Sequence, residues 1–350
     1  MSRKISLVIY TILHLLTDGI CAHTVVNYLY ANNSNSTIII FFLHNFIALC
    51  TQPILGLIVD KFQKKEIIYE SLAAISIILV IIGSFLTNNW IISTMMMGFG
   101  NGLLYVVGGK ETVHRSNNKL LPLSLYVSFG AMGVFLGTNI TNIIILHIFR
   151  LLSVICVIVL FILPNQFKFK ENKEVFIEKR THKFFILIPL ILAVFLRGFV
   201  NEVLITDMLD SFWDLFILTL CGCLGKILGG YLVDKIGFKI TIYLSMGIFT
   251  ILCTVFPYNQ MALYIGVICF NMSMPMTLYR YTKMYPNYEA FAFGFAAALT
   301  LPAYLLGYSC ESILRQDMVN YLLVILFLGL LNIIFLRTSS FKWLQRFYKN

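Results

Sequence analysis

Apolar runs of about 20 residues, separated with one exception by short polar connections, constrain this chain more than any other feature. A bilayer core of about 30 Å takes roughly 20 residues of α-helix to cross. Runs of that kind occupy about twelve stretches: 5–30, 37–59, 67–87, 90–110, 120–141, 143–163, 184–205, 212–233, 240–256, 260–281, 288–309 and 319–337. They are continuously apolar, so they predict helices and not the alternating strands of a β-barrel. Composition agrees, with 59% of residues hydrophobic and 12% charged. That is about half the charge density a water-exposed surface needs, which excludes a soluble globular, disordered or collagen-like chain. The first run follows Ser2-Arg3-Lys4 as a signal peptide would, but it is too long and carries Asp18, so it reads as a retained helix. The 8 cysteines lie almost entirely within apolar runs and predict no disulfide framework.

The net charge of +10 is a matter of topology. With a cytoplasmic N-terminus, bases such as Lys61, Lys110, Arg115, Lys235 and Arg280 all fall on the inner side, and the outer loops carry Asp207, Asp210, Glu311 and Asp317. The expectation is a multi-pass protein of the cell membrane with both termini cytoplasmic. Nucleic acid is not an expected partner. The long polar stretch 164–183 divides the chain into an N-terminal six-helix bundle at 1–163, a cytoplasmic linker at 164–183, a C-terminal six-helix bundle at 184–337 and a cytoplasmic tail at 338–350.

The halves read as copies. Gly56, Asp60 and Lys61, with Lys64 and Lys65 behind, end the second run; Gly230, Asp234 and Lys235, with Lys239 behind, end the eighth. Asn101 on run four is echoed by Asn271 on run ten, with Lys110 and Arg280 at the matching inner ends. Repeats on this scale belong to two-bundle transporters. The Gly-x-x-x-Asp-Lys pattern resembles the loop motif of the major facilitator superfamily of secondary transporters, between its spans two and three and again, more weakly, between spans eight and nine. The resemblance implies an all-α polytopic membrane protein with 12 transmembrane helices in two pseudo-symmetric six-helix bundles. It also implies a gating role for Gly56, Asp60, Lys61, Lys64, Lys65, Gly230, Asp234, Lys235 and Lys239, pinning neighbouring helices at the cytoplasmic side. His14-Leu15-Leu16-Thr17-Asp18 and Gly98-Phe99-Gly100-Asn101-Gly102 are similar to the branch containing fosmidomycin-resistance-type exporters, although Leu104-Tyr105 stands where that branch has an aromatic-histidine pair.

Charge inside a membrane is costly, about 2.5–3.5 kcal/mol per group on insertion scales. Asp18, Arg150, Arg197, Glu202 and Lys226 therefore need partners or a wet cavity. His14 lies four residues before Asp18, on the same helix face. The pair is a candidate proton-coupling site; the alternative is a structural tie between span one and a neighbour. His23, His44, Arg150 and Arg197 fall at a similar depth, which points to an anion site, with Arg150 better read as a helix anchor. The candidate substrate contacts are Arg197, Glu202, His23, His44, Asn101, Tyr105, Asn271 and Lys226. The methionines of runs four and ten fit packing better than copper, and neither a metal nor any other cofactor is expected. The chain has no His-Glu-x-x-His and no Gly-x-Ser-x-Gly, and Gly108-Gly109-Lys110-Glu111 lacks the first glycine and last hydroxyl of a phosphate loop. An enzyme is not expected. The reading is a monomeric transporter of a small solute, an anion or a drug, by proton-coupled efflux and alternating access. Metabolite uptake or facilitated diffusion, a different coupling ion, and a non-transporting receptor or scaffold of the same fold stay open.

Overall fold

A computed structural model describes residues 2–62, 66–163, 180–205, 211–256, 259–309, 326–331 and 333–334, with side chains at 2–3, 66–67, 180–185, 200–205, 253–254 and 308 outside the description. Lys64, Lys65, the linker from 164 to 179, Asp207, Asp210, the greater part of the run 319–337 and the tail lie outside the described residues, as does the Glu202 side chain.

The described residues form helices, with no strand among them: α1 (Ser2–Thr24), α2 (Thr37–Asn45), α3 (Gln52–Lys61), α4 (Glu66–Phe85), α5 (Trp90–Arg115), α6 (Leu121–Asn139), α7 (Ile143–Ile162), α8 (Arg180–Ile205), α9 (Phe212–Ile236), α10 (Phe238–Val255), α11 (Gln260–Asn271), α12 (Ser273–Met284), α13 (Glu289–Ala298) and α14 (Thr300–Ser309). Among them 9 continuous stretches are long and apolar enough to span a membrane, and Ile186–Phe199 and Phe238–Leu252 are shorter apolar helices. Four predicted spans are composite: residues 5–30 continue from α1 into a π-helical segment at Val25–Tyr30, and residues 288–309 are α13 and α14 with a turn at Leu299. Residues 37–59 run through α2, a π-helical turn at Phe46–Cys50 and α3, whose first turn holds Pro53; residues 260–281 are α11 and α12 with a break at Met272.

Local chemistry sets the ends. Asn89, Asn142, Ser211 and Asn259 cap α5, α7, α9 and α11, each side-chain oxygen accepting a first-turn backbone N–H at 2.9–3.2 Å, which satisfies donors that have no partner within the helix. Gly237, with φ of 84°, starts α10 from a left-handed conformation that suits glycine.

Two units are resolved by contacts: residues 1–173 with 285–301, and 174–284 with 302–350. In the first, α1 packs most extensively on α6, α4 on α5, and α13 on α3. The sequence-based division places 285–301 with the C-terminal bundle; in the structure this segment groups with the first unit because α13 is bonded and packed to α3 and α5. The α1–α6 contact is a glycine stripe. Gly133 and Gly137 of α6 lie against the backbone carbonyls of Leu15 and Gly19 of α1, leaving no room for a Cβ. In the second unit, Gly225 and Gly229 of α9 meet Ile268 and Met272 at the α11 end in the same way. The apolar core of the first unit includes Ile20, Val25, Leu29, Val80, Met97 and Leu146.

Candidate functional site

Two polar clusters are embedded in the first unit, and α5 contributes to both. The upper one centres on α1. His14 and Asp18 are one turn apart, and Nε2 of His14 lies 3.2 Å from Oδ2 of Asp18, within ion-pair reach but off the line of a hydrogen bond. Asn101 of α5 donates from Nδ2 to Oδ1 of Asp18 at 2.9 Å. The other imidazole nitrogen, Nδ1 of His14, is 2.8 Å from the carbonyl oxygen of Tyr126 on α6. The Tyr126 ring stacks on the imidazole at 4.4 Å between centroids, and Tyr105 meets it edge-on at 5.0 Å. Gly130 makes this fit possible: a Cβ there would sit 2.6 Å from both Nε2 of His14 and Oδ2 of Asp18. His14 is 2% exposed and Asp18 12%, so a carboxylate and a base face each other almost out of water.

The lower cluster holds α13 to α3 and α5. Asp60, at the end of α3, accepts the backbone N–H of Ala290 at 3.1 Å and of Phe291 at 2.8 Å. These are unpaired first-turn donors of α13, so the carboxylate closes that helix end and meets the positive pole of its dipole. Lys110 of α5 donates to Oδ1 of Asp60 at 2.8 Å, and both side chains are 1% exposed. Gly56, one turn before Asp60, lets α3 approach: a Cβ there would be 2.5 Å from the Ala290 carbonyl oxygen. One turn beyond Lys110, His114 lies 3.7 Å from Glu289, the first residue of α13. Nearby, Arg115 donates to Glu111 at 2.5 Å and to Ser6 at 3.2 Å, and lies 3.7 Å from Glu70. Tyr105 packs on Phe293 of α13 at 4.9 Å, so this one side chain touches both His14 and the helix that Asp60 holds.

The structure thus brings together His14, Asp18, Asn101 and Tyr105, and separately Gly56 and Asp60. Lys61 is exposed. In the repeat copy Gly230 is buried, while Asp234, Lys235 and Lys239 are exposed; Lys235 lies over the Tyr231 ring at 5.8 Å. His23 is fully buried and neither ring nitrogen makes a hydrogen bond among the described residues; His44 is buried with Nδ1 in the same condition. Arg197, 8% exposed, donates to Thr277 Oγ1 at 2.7 Å, tying α8 to α12. Lys226 is buried on α9, and Asn271 donates to Val267 of its own helix at 3.0 Å, so that side chain is engaged locally.

Arg150 finishes α4. Its Nε and Nη2 donate to Ser84 Oγ and the Ser84 carbonyl at 2.9 and 2.8 Å, and the guanidinium lies 3.9 Å over the Phe85 ring. Bonding to last-turn carbonyls and stacking on an aromatic is the role of a helix anchor. Arg150→Leu is accordingly expected to lower the thermal midpoint of the purified protein while leaving solute binding unchanged in the same thermal-shift assay.

Sequence reasoning passed over Lys110 as a counter-ion, counting it with the topology charges, and it passed over Tyr126 and Glu289 altogether. Lys110 had a signal: it follows Gly108-Gly109 on a helix carrying the paired motif Asn101, at the end nearest Asp60. Tyr126 had none, because a tyrosine in an apolar run shows nothing of which carbonyl it presents.

The family model described as Major Facilitator Superfamily matches residues 7–308. No curated protein matches the chain. Among solved structures, the chain is similar to a variant of the E. coli fucose:proton symporter FucP, with TM-score 0.63 and 11% identity over 95% of this chain and 98% of that one. It is similar to FucP in the outward conformation, with TM-score 0.65 and 10% identity over 95% and 99% of the two chains. A bacterial homologue of the iron transporter ferroportin in an outward-facing state gives TM-score 0.55 and 13% identity over 97% and 100%. With its apolar spans, its glycine-packed helices and a family match along most of its length, the chain belongs to the Major Facilitator Superfamily, as a multi-pass membrane transporter of small solutes and not an enzyme.

Proposed function

We propose that this protein exports a small solute, an anion or a drug, in exchange for protons by alternating access, with Asp18 and His14 as the proton carrier. The observation that carries the reading is the contact of Asp18 with His14 and Asn101: a nearly buried carboxylate whose partners are a titratable base and a neutral amide, with no lysine or arginine within ion-pair distance among the described residues. A permanent cation would pair off the Asp18 charge; here the partners are an imidazole, a side chain that exchanges protons near neutral pH, and a neutral amide. Asn101 and Tyr105 share this site, and Arg197, Glu202, His23, His44, Asn271 and Lys226 are assigned to the solute, with a cationic balance that favours an anion. Asp60 with Gly56 and Lys61, Lys64 and Lys65 forms the inner gate, and Gly230, Asp234, Lys235 and Lys239 its weaker repeat. The protein is placed as a monomer in the cell membrane with both termini cytoplasmic, as two six-helix bundles at 1–163 and 184–337, and within the superfamily beside the fosmidomycin-resistance-type exporters by its span-one and span-four motifs.

The test is a thermal-shift screen of the purified protein with inorganic phosphate, fosmidomycin and L-fucose at pH 6 and pH 8. A true ligand at a hundred times its Kd stabilises by about 2.7 kcal/mol, and a proton-coupled ligand does so unequally at the two pH values. The compound that binds is then followed in vesicles with an imposed pH gradient. Efflux predicts movement opposite to the proton; movement with the proton would assign uptake, and binding without flux would assign a receptor.

A further inference from the structure

Tyr126 and Gly130, on successive turns of α6, form a slot that holds a single histidine. The ring of Tyr126 is one wall, stacked on His14 at an interplanar angle of 22°, and Gly130 is the floor, where any Cβ would collide with the imidazole. Tyr126 is itself fixed, since its hydroxyl donates to the carbonyls of Leu104 and Tyr105 on α5 at 3.1 and 3.2 Å. The Tyr126 backbone carbonyl, 2.8 Å from Nδ1 of His14, accepts hydrogen bonds and cannot donate them. Nδ1 therefore carries a hydrogen in every protonation state the slot permits. The neutral imidazole is then restricted to the form with a bare Nε2, the nitrogen that lies 3.2 Å from Oδ2 of Asp18.

We propose that Tyr126 is a positioning residue which selects this tautomer and so places the exchangeable proton of the His14–Asp18 pair on Nε2, the nitrogen beside Asp18. The inference rests on the proton-carrier reading above. When the pair is empty, bare Nε2 and the Asp18 carboxylate lie side by side with no hydrogen between them, and the pair carries a charge of about −1. One proton entering between Nε2 and Oδ2 converts this into a hydrogen bond and brings the pair to neutrality; leaving, it restores the negative charge. Nδ1–H stays on the Tyr126 carbonyl throughout. The remaining oxygen of Asp18, Oδ1, is occupied by the Asn101 amide, and a second proton would leave a net cation in a nearly dry site, which is disfavoured. With the opposite tautomer, Nε2 would already carry its hydrogen, and an incoming proton would have to bind Nδ1, against the Tyr126 carbonyl.

The experiment is nitrogen-15 NMR of the full chain with labelled histidine in phosphatidylcholine nanodiscs, the His14 signals being those lost in His14→Gln. At high pH the wild type is expected to show a protonated Nδ1 and a bare Nε2, and on acidification only Nε2 should gain a proton. Both variants keep the backbone carbonyl: Tyr126→Phe also keeps the ring and should retain this signature, whereas Tyr126→Leu removes the wall that holds the imidazole against that carbonyl and should move His14 into a mixture of tautomers. A wild type with Nε2 protonated at high pH, or Tyr126→Leu with the wild-type signature, would overturn the proposal. The wild-type spectrum decides alone if Tyr126→Leu does not fold. Because no transport is measured, the outcome is separate from the flux test of Asp18: coupled flux with the wrong tautomer defeats the slot, and the right tautomer without coupling defeats the carrier.

Discussion

Lys110→Met is expected to lower the stability of the purified protein by about 3 kcal/mol, near the lower end for a buried ion pair that loses one partner. Lys110 and Asp60 are each 1% exposed and their charged atoms are 2.8 Å apart, so removal of the lysine leaves a carboxylate without its counter-charge. Asp60 retains the Ala290 and Phe291 amides, which keeps the loss toward the lower figure. Asp60→Asn alone should also destabilise, since it leaves the ammonium buried and one carboxylate acceptor replaced by an amide donor facing backbone N–H groups. The double variant Asp60→Asn, Lys110→Met removes both charges and should recover part of the loss. Thermal midpoints of the three variants check this. Additive losses in the double variant would mean that the two groups act independently, against the geometry.

Such a pair shows what the sequence reveals and what it hides. The spans were legible because an apolar run of bilayer length has one outcome, a helix, whatever its neighbours. Asp60 was legible through its spacing from Gly56 and its recurrence at Gly230 and Asp234, and its partner was expected to be an adjacent helix end, which α13 supplies. Its counter-ion was not, because Lys110 is 50 residues away in sequence and only the packing of α3 on α5 joins them. The same holds for Arg115 with Glu70 and Ser6. His14 and Asp18 were legible as a pair by helical spacing alone, whereas Asn101 was found only as a repeat echo and Tyr126 not at all. Depth counting grouped His23, His44, Arg150 and Arg197 by level but could not give their azimuth, and Arg150 is bound to the end of α4 while Arg197 is bound to α12. The repeat predicted a gate motif in each half, the second one weaker; burial differs between them in that direction, since Asp60 is enclosed by α13 and α5 and Asp234 is exposed.

Asp18→Asn should uncouple transport. If each cycle carries one proton, a gradient of one pH unit sustains about tenfold solute accumulation, equal to about 1.4 kcal/mol. The asparagine cannot bind or release a proton and mimics the neutral carboxyl, so accumulation should collapse to parity while downhill exchange of solute between the two sides persists. Gly130→Val should do the same by a different route, pushing a side chain into the space between His14 and Asp18. Loss of downhill exchange as well would instead point to a structural role for Asp18 in tying α1 to α5.

The most direct measurement is simultaneous recording of proton and solute movement in proteoliposomes, with an internal pH dye and the ligand identified by thermal shift. The account predicts that imposing a solute gradient drives protons across the membrane in the wild type, about one per solute when the pair holds one proton, and that Asp18→Asn moves solute with no proton signal. Wild-type solute flux that leaves the internal pH unchanged, or a proton signal that survives Asp18→Asn, would contradict it.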